Sequence, residues 1–352
     1  MSEPTGEPSA RRELAPEVTT VSDESAVVFR GRRWKVYEGL RPATDYEYDG
    51  VAFRTLRRPP GERLATVATV NDLHLGETAC GAIDAMPDVG PVLSSLPGEP
   101  PYPETMNAAA VEEILAAGAD AVVAKGDLTD DGREEEYEAF LRCYRPVGDR
   151  LHLVPGNHDV HRGTGPVPHG PSKVEVAGAV LALLDTSVPG AAGGALDADQ
   201  LGWLDDLAAS AAVPVLVFGH HHAWAPGSAR PATYFGIRPD DSEHLVALAA
   251  RRPAVAGYFA GHTHRHRVRR FPATGTMPWA EVGAVKDFPG VWAEYRVHEG
   301  GVLQVVHRIR RPDALDWTER TRAMFSGLYG HYSFGTLADR CFEVDPRTPA
   351  AG

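Results

Sequence analysis

Residues 151–159 read Leu-His-Leu-Val-Pro-Gly-Asn-His-Asp, an apolar run that stops at a proline and a glycine and then presents three polar side chains. β-Prone residues closing on such a turn predict a strand that delivers Asn157 and His158 at its carboxyl end. The same phrase recurs four times along the chain. Residues 64–70 run into Asn71-Asp72-Leu73-His74, and residues 119–124 precede Gly126-Asp127. Residues 213–218 precede Gly219-His220-His221-His222, and residues 256–260 precede Gly261-His262-Thr263-His264. Apolar spacing and Asp or Ser caps predict helices over 104–117, 133–144, 197–209 and 242–250. Strand and helix alternate, so the fold class is α/β.

In an α/β sheet, ligands bind beyond the carboxyl ends of the strands, where side chains distant in sequence meet. One isolated Gly-Asn-His-Asp is explained by a turn with Asn in the left-handed conformation. Five strand ends that each finish in Asp, Asn or His need a shared cause. These are hard or borderline donors, suited to Mn, Fe, Zn or Mg rather than to a soft copper ion. Bound dications would carry charge that Asp72 and Asp127 offset only in part, leaving a site that attracts anionic oxygens. A water bound to such an ion would lose its proton far more easily than bulk water, with a pKa of about 7 on a catalytic zinc.

The rest of the chain limits the partners. A net charge of −13 would repel a polyphosphate backbone, and the one basic run, Arg265 to Arg270, is short, so extended nucleic acid is not expected. Small anionic substrates stay within reach, because bound dications reverse the local potential. With 43% hydrophobic and 24% charged residues the chain has the balance of an ordinary globular protein. No apolar run approaches the roughly 20 residues that cross a bilayer, and the N-terminal stretch lacks the apolar centre of a signal peptide. No membrane association and a cytoplasmic address are therefore expected. Cys80, Cys143 and Cys341 are far apart in sequence, which suggests neither a disulfide framework nor a thiolate zinc site.

Composition divides the chain. Residues 1–24 are rich in Glu, Ser, Pro and Thr and read as a disordered tail. Residues 25–61 carry short β-like runs around Val27, Trp34 and Val51, a small β appendage closed by Pro59-Pro60-Gly61. Residues 62–311 form the main domain. Within it, residues 76–103 are a long Pro- and Gly-rich loop of the kind that shapes a site, and residues 292–309 read as a hairpin around Glu299-Gly300-Gly301. Residues 312–352, with Trp317, Phe325, Tyr329, Tyr332 and Phe334, read as an extension packing on the domain or on a partner subunit, which makes a homodimer reasonable.

In their motif order, Asp72-Leu73-His74, Gly126-Asp127, Gly156-Asn157-His158-Asp159, His220-His221-His222 and Gly261-His262-Thr263-His264, residues 64–310 resemble the calcineurin-like metallophosphoesterase superfamily. The resemblance implies a four-layer α/β/β/α sandwich of two mixed β-sheets flanked by helices, with 62–311 as the catalytic domain. It implies two divalent metal ions (Mn, Fe or Zn). Asp72, His74 and His264 would hold the first, Asn157, His262 and a strand-terminal histidine the second, and Asp127 would bridge them. Spacing to the family's H-x-P pattern favours His221, with Ala223 in place of Pro; position directly after the strand favours His220. His158 would supply a cation or an acid to the leaving oxygen, oriented by Asp130. Asp130 and Asp131 suit a helix cap before Arg133 equally well.

The D-x-H block resembles the cyclic-nucleotide phosphodiesterase and glycerophosphodiesterase branch. The turn at 39–44, with Tyr46, Tyr48 and Phe53-Arg54-Thr55, is similar to the end of the β-sandwich that precedes the catalytic domain in purple acid phosphatases. The iron-binding tyrosine of those enzymes, three residues after the bridging Asp, is Asp130 here, so a purple ferric site is not expected. The reading is thus a hydrolase of small phosphodiesters, acting by in-line attack of a metal-bound hydroxide. A phosphomonoesterase or nucleotide pyrophosphatase would use the same core. A non-catalytic metal-binding regulator would break at least one ligand, and none is broken. A metallo-β-lactamase would need H-x-H-x-D-H, whereas His266 is followed by Arg267 and Val268.

Overall fold

Strand Arg63–Val70 is buried from Ala65 to its end, as a strand covered on both faces must be. It lies within a six-stranded sheet ordered Phe342–Val344, Gly301–Arg308, Val291–His298, Arg63–Val70, Ala121–Lys125, Leu151–Val154. The last three strands run parallel. Helices Tyr102–Ala117 and Glu134–Tyr144 make the crossovers between them. Val291–His298 then pairs antiparallel with Arg63–Val70 and forms the hairpin with Gly301–Arg308. The computed structural model describes residues 15–82, 89–231 and 233–345. A second six-stranded sheet follows the order Arg267–Arg269, Trp279–Glu281, Val255–Ala260, Val215–Phe218, Ala179–Leu183, Ser172–Val176. Its inner strands are parallel and its two edges antiparallel.

The helices start and stop for local reasons. The Asp197 carboxylate accepts the Gln200 N–H at 2.8 Å and opens Ala198–Ser210. Glu136 reaches back to the Arg133 N–H at 3.3 Å at the start of Glu134–Tyr144. Gly118, at φ 69°, ends Tyr102–Ala117 in a left-handed turn.

Three apolar layers hold these elements together. Val67, Val123, Phe218, Phe259 and Tyr295 interlock between the two sheets. Met106, Ala110 and Ile114 of helix Tyr102–Ala117 pack on the outer face of the first sheet. Leu204, Leu245 and Leu248 from helices Ala198–Ser210 and Pro239–Arg251 cover the second. Each large side chain so buried contributes about 1.5–3 kcal/mol. The result is an α/β/β/α sandwich of two mixed sheets. Strands Ser172–Val176 and Ala179–Leu183, unread from the sequence, extend the second sheet beyond the motif-bearing strands. Among the described residues no helix is long and apolar enough to cross a membrane.

The N-terminal segment corrects one expectation. The composition of residues 1–24 predicts a disordered tail, yet Glu17–Val21 is a strand paired with Ala26–Arg30. Tertiary hydrogen bonds order it: Thr20 donates to the Val306 carbonyl at 2.7 Å, and Arg340 donates to the Thr19 carbonyl at 3.0 Å. Composition carries no trace of such distant partners. Residues 1–14 of the expected tail, 83–88 of the long loop and 346–352 of the C-terminal extension lie outside the described residues. At the other end, Trp317 stacks on Tyr102 at 4.0 Å and Phe342–Val344 joins the first sheet, so this segment is packed on the body.

Candidate metal centre

The motif-bearing strands of both sheets end on one side of the sandwich. Asp72 and His74 follow Arg63–Val70, Asp127 follows Ala121–Lys125, and Asn157 follows Leu151–Val154. From the second sheet, His220 and His221 follow Val215–Phe218, while His262 and His264 follow Val255–Ala260. Asp72, His74, Asp127, His262 and His264 all have left-handed backbones, with φ between 47° and 66°. Non-glycine residues adopt that conformation at a cost of about 1–3 kcal/mol, which clusters at functional sites. A hydrogen-bonded frame sustains it. The Leu73 and His74 amides donate to the Asp127 carbonyl at 2.8 and 2.9 Å, and the His262 amide donates to the Asp72 carboxylate at 3.0 Å. Gly156 must lack a side chain, because a Cβ there would collide with the Asp127 carboxylate.

The side chains then converge. Nε2 of His220 lies 3.2 Å from Asp127 Oδ2 and 3.2 Å from Asn157 Oδ1. Nε2 of His74 lies 3.5 Å from Asp127 Oδ2, and Nε2 of His264 lies 3.5 Å from Asp72 Oδ1. Ligating atoms of Asp72, His74 and His264 fall within 4.8 Å of one another, as do those of Asp72, Asp127 and His220, and of His220, His221 and His262. The Nε2 atoms of His74, His221 and His262 are buried and meet no hydrogen-bond partner among the described residues. A buried imidazole nitrogen without a partner is costly unless an ion completes it.

Electrostatics agrees with that demand. Burial pushes the imidazoles of His74 and His262 well below their usual range, with Lys286 adding to the effect on His74 and His221 to that on His262. Burial would lower His220 as well, but the Asp127 and Asp72 carboxylates hold it up at about 9. Burial would raise Asp127; His220 and His158 hold it well below the carboxylate range. Buried lone pairs and carboxylates aimed at common points are the donor set that dications require.

Residues 65–266 match the family described as calcineurin-like phosphoesterase. The chain belongs to that family. It is similar to the 3',5'-cyclic adenosine monophosphate phosphodiesterase CpdA of Pseudomonas aeruginosa, 31% identical over 150 residues that cover 42% of this chain and 54% of that protein. It is also similar to the glycerophosphodiester phosphodiesterase GpdQ of Enterobacter lignolyticus, 31% identical over 159 residues that cover 41% of this chain and 56% of that one. The chain thus spans little more than half the length of these two relatives. A dimetal phosphatase from Danio rerio shares the fold at a TM-score of 0.55 and 14% identity, over 70% of this chain and 98% of that one.

Within this phosphoesterase framework the neighbours of the donor set differ from what the motifs suggest. His158 does meet Asp130, but through the Asp130 main-chain carbonyl at 2.6 Å; the carboxylate stands 3.9 Å away and lies 3.4 Å from Nδ1 of His74. Burial, followed by the neighbouring Glu77 charge, pushes the Asp130 carboxyl up to about 6. His222 is buried against Trp224, its ring 5.0 Å away, and stands outside the converging set.

Three supporting residues went unassigned in the sequence. Asp159, which closes the Gly-Asn-His-Asp motif, accepts from the amides of Thr129 and Gly156, each at 2.8 Å, and so ties the Asp127 and Asn157 turns together. Lys125, fully buried one residue before Gly126, donates to Asn71 of its own sheet and, at 2.9 Å, to the Ala260 carbonyl of the other. It bolts the sheets beneath the site, and burial pushes its ammonium down to about 7. Asp287 bonds Nδ1 of His264 at 2.9 Å. Motif position points to Asp159 alone; a buried lysine and a carboxylate on a remote loop leave no spacing signal.

The converging residues open into a cavity of about 420 Å³ whose rim carries Phe235, Phe325 and Tyr332. Phe235 lies over the His262 ring at 3.9 Å and is half exposed. A separate depression of about 570 Å³, beside Asp185 and Trp203, holds none of the converging residues.

Proposed function

We propose that this chain is a dinuclear-metal-dependent hydrolase of small phosphodiesters, of the cyclic-nucleotide or glycerophosphodiester type. The observation that carries the proposal is the convergence of Asp72, His74, Asp127, Asn157, His220, His262 and His264 with buried, unpartnered imidazole nitrogens among them. In this reading Asp72, His74 and His264 hold one divalent cation (Mn, Fe or Zn), Asn157, His220 and His262 hold the other, and Asp127 serves both. What favours His220 over His221 is its 3.2 Å approach to both Asp127 and Asn157. Bound cations would supply Lewis acidity and an activated water.

The protein's own groups do the rest. His158 faces the cavity, and its Nδ1–H is tied to the Asp130 carbonyl; in the imidazolium form this leaves an Nε2–H to donate to the leaving oxygen. The apolar rim of Phe235, Phe325 and Tyr332 suits a diester with a flat arm, as in a cyclic nucleotide, better than a glycerol arm. The relatives named as phosphodiesterases support a diester over a monoester.

The test is a metal analysis of the purified protein together with turnover of 3',5'-cyclic AMP, glycerophosphocholine, bis-p-nitrophenyl phosphate and p-nitrophenyl phosphate. Two ions per chain and faster diester hydrolysis are expected. Monoester-only turnover would replace the diester assignment, and a protein that binds no divalent ion would sink the hydrolase reading.

A further inference from the structure

The ring of His264 is fixed by a residue outside the motif-bearing strands, Asp287. Its Nδ1 donates to Asp287 Oδ2 at 2.9 Å, so its Nε2 keeps a lone pair directed toward Asp72. The other oxygen of Asp287 accepts the hydroxyl proton of Tyr329 at 2.7 Å. Both partners are buried, at 2% and 4% exposure, so neither bond competes with bulk water.

The same C-terminal segment grips the surrounding backbone. Tyr332 donates to the Thr263 carbonyl at 2.9 Å, and the His266 amide donates to the Ser333 carbonyl at 3.0 Å. Trp317 donates to the Lys286 carbonyl at 2.6 Å, and the Phe288 amide donates to the Thr321 hydroxyl at 2.9 Å. Residues 317–333 therefore brace both strands of chain that carry the pair, the 262–266 turn and the 285–290 loop.

We propose that Asp287 and Tyr329 are positioning residues that set the His264 ring for one of the two ions, so that the C-terminal segment controls the occupancy of that ion position. The inference rests on the metal-centre reading above and adds a device that the ligand motifs do not contain. A carboxylate behind a ligating histidine fixes its tautomer and orientation, and its loss weakens metal binding by about 10- to 100-fold. A hydroxyl behind that carboxylate acts one bond further out and should matter less.

The experiment titrates the full-length, metal-stripped protein with Mn²⁺ by calorimetry and electron paramagnetic resonance, for the wild type, Asp287→Asn and Tyr329→Phe. Thermal unfolding of the metal-free forms runs alongside. For Asp287→Asn we expect one ion weakened by about 10- to 100-fold and the other unchanged. The spin-coupled two-ion signal should give way to that of a single ion at limiting Mn²⁺. Tyr329→Phe, which removes only a hydroxyl, should shift the same ion by a smaller factor. Wild-type affinities at both positions in both variants would overturn the proposal, as would equal weakening of both ions with a lowered melting temperature of the metal-free protein. Failure of the wild type to bind Mn²⁺ would instead overturn the metal-centre reading beneath it.

Discussion

The two six-stranded sheets bring different chemistry to their common edge. The first ends in oxygen donors, Asp72, Asp127 and Asn157, with His74 as its single imidazole in the converging set. The second ends in imidazoles only, His220, His221, His262 and His264. Both sheets bury charge: the first holds Lys125, Glu294 and Arg308 among its strands, and the second holds Glu281 at the end of Trp279–Glu281, although its central strands Val215–Phe218 and Val255–Ala260 carry no charged residue. The first sheet thus supplies the carboxylates of the converging set and the second most of its imidazole nitrogens. Neither half alone offers a dication both charge compensation and enough donors, so the site exists only where the sheets are held face to face.

The largest effect should follow removal of the carboxylate nearest both groups of imidazoles. Asp127→Ala should lower phosphodiester turnover by about a thousandfold or more, since electrostatic stabilisation worth several kcal/mol is lost. Circular dichroism should stay native. Near wild-type rates would remove Asp127 from the proposed chemistry.

Next comes the seam between the sheets. Phe218 lies 5.3 Å from Tyr295 of the opposite sheet and 5.4 Å from Phe259 of its own. Phe218→Ala should cost about 3–5 kcal/mol in chemical denaturation, and bound metal should be lost along with stability. Loss of stability with full metal affinity would show that the site does not need the seam.

A smaller effect should come from the buried charge of the first sheet. Burial would raise the Glu294 carboxyl, but His307, at 2.9 Å, and Arg296, at 3.1 Å, hold it well below its ordinary value. A carboxylate depressed in the folded state contributes stability above its unfolded pKa, about 4.3, and that contribution fades as pH falls below it. Glu294→Gln should therefore cost about 1–3 kcal/mol at pH 7 and progressively less toward pH 3, measured by urea unfolding. An undiminished difference at pH 3 would refute the charge argument.

The mildest test concerns the second sheet. His220, pushed up to about 9 by Asp127 and Asp72 against the effect of burial, holds a proton at neutral pH that a cation must displace. Metal affinity should rise by up to about tenfold per pH unit between pH 7 and 9, with about one proton released per ion at that position. Calorimetry in buffers of different ionisation enthalpy measures this directly. His220→Ala should abolish the proton release, whereas His221→Ala should retain it.

Much of this architecture is legible in the sequence because its signals are local. An apolar run, a Gly turn and a polar tip lie within about ten residues, so each of the five strand ends could be read alone, and the alternation of strands and helices follows from periodicity. The caps of Asp197 and Gly118 are local too, and the two helices they belong to fall within a residue or two of their expected places. What remained hidden depends on partners far away in the chain. The strand at Glu17–Val21 owes its order to Val306 and Arg340. The choice between His220 and His221 turns on which ring faces Asp127 and Asn157 across the seam, since two consecutive residues carry the same chemistry and differ only in direction. The expected partner of His158, the Asp130 carboxylate, lies instead 3.4 Å from His74 Nδ1, and the Asp130 carbonyl meets His158. Lys125 and Asp287 look ordinary as letters; only packing reveals one as a buried bolt between sheets and the other as the anchor of His264. Residue identity determines which donors exist and which strand each one ends. Direction and depth of burial arise only when two sheets close on each other, because a side chain's environment is the sum of contacts that sequence separates by a hundred residues or more.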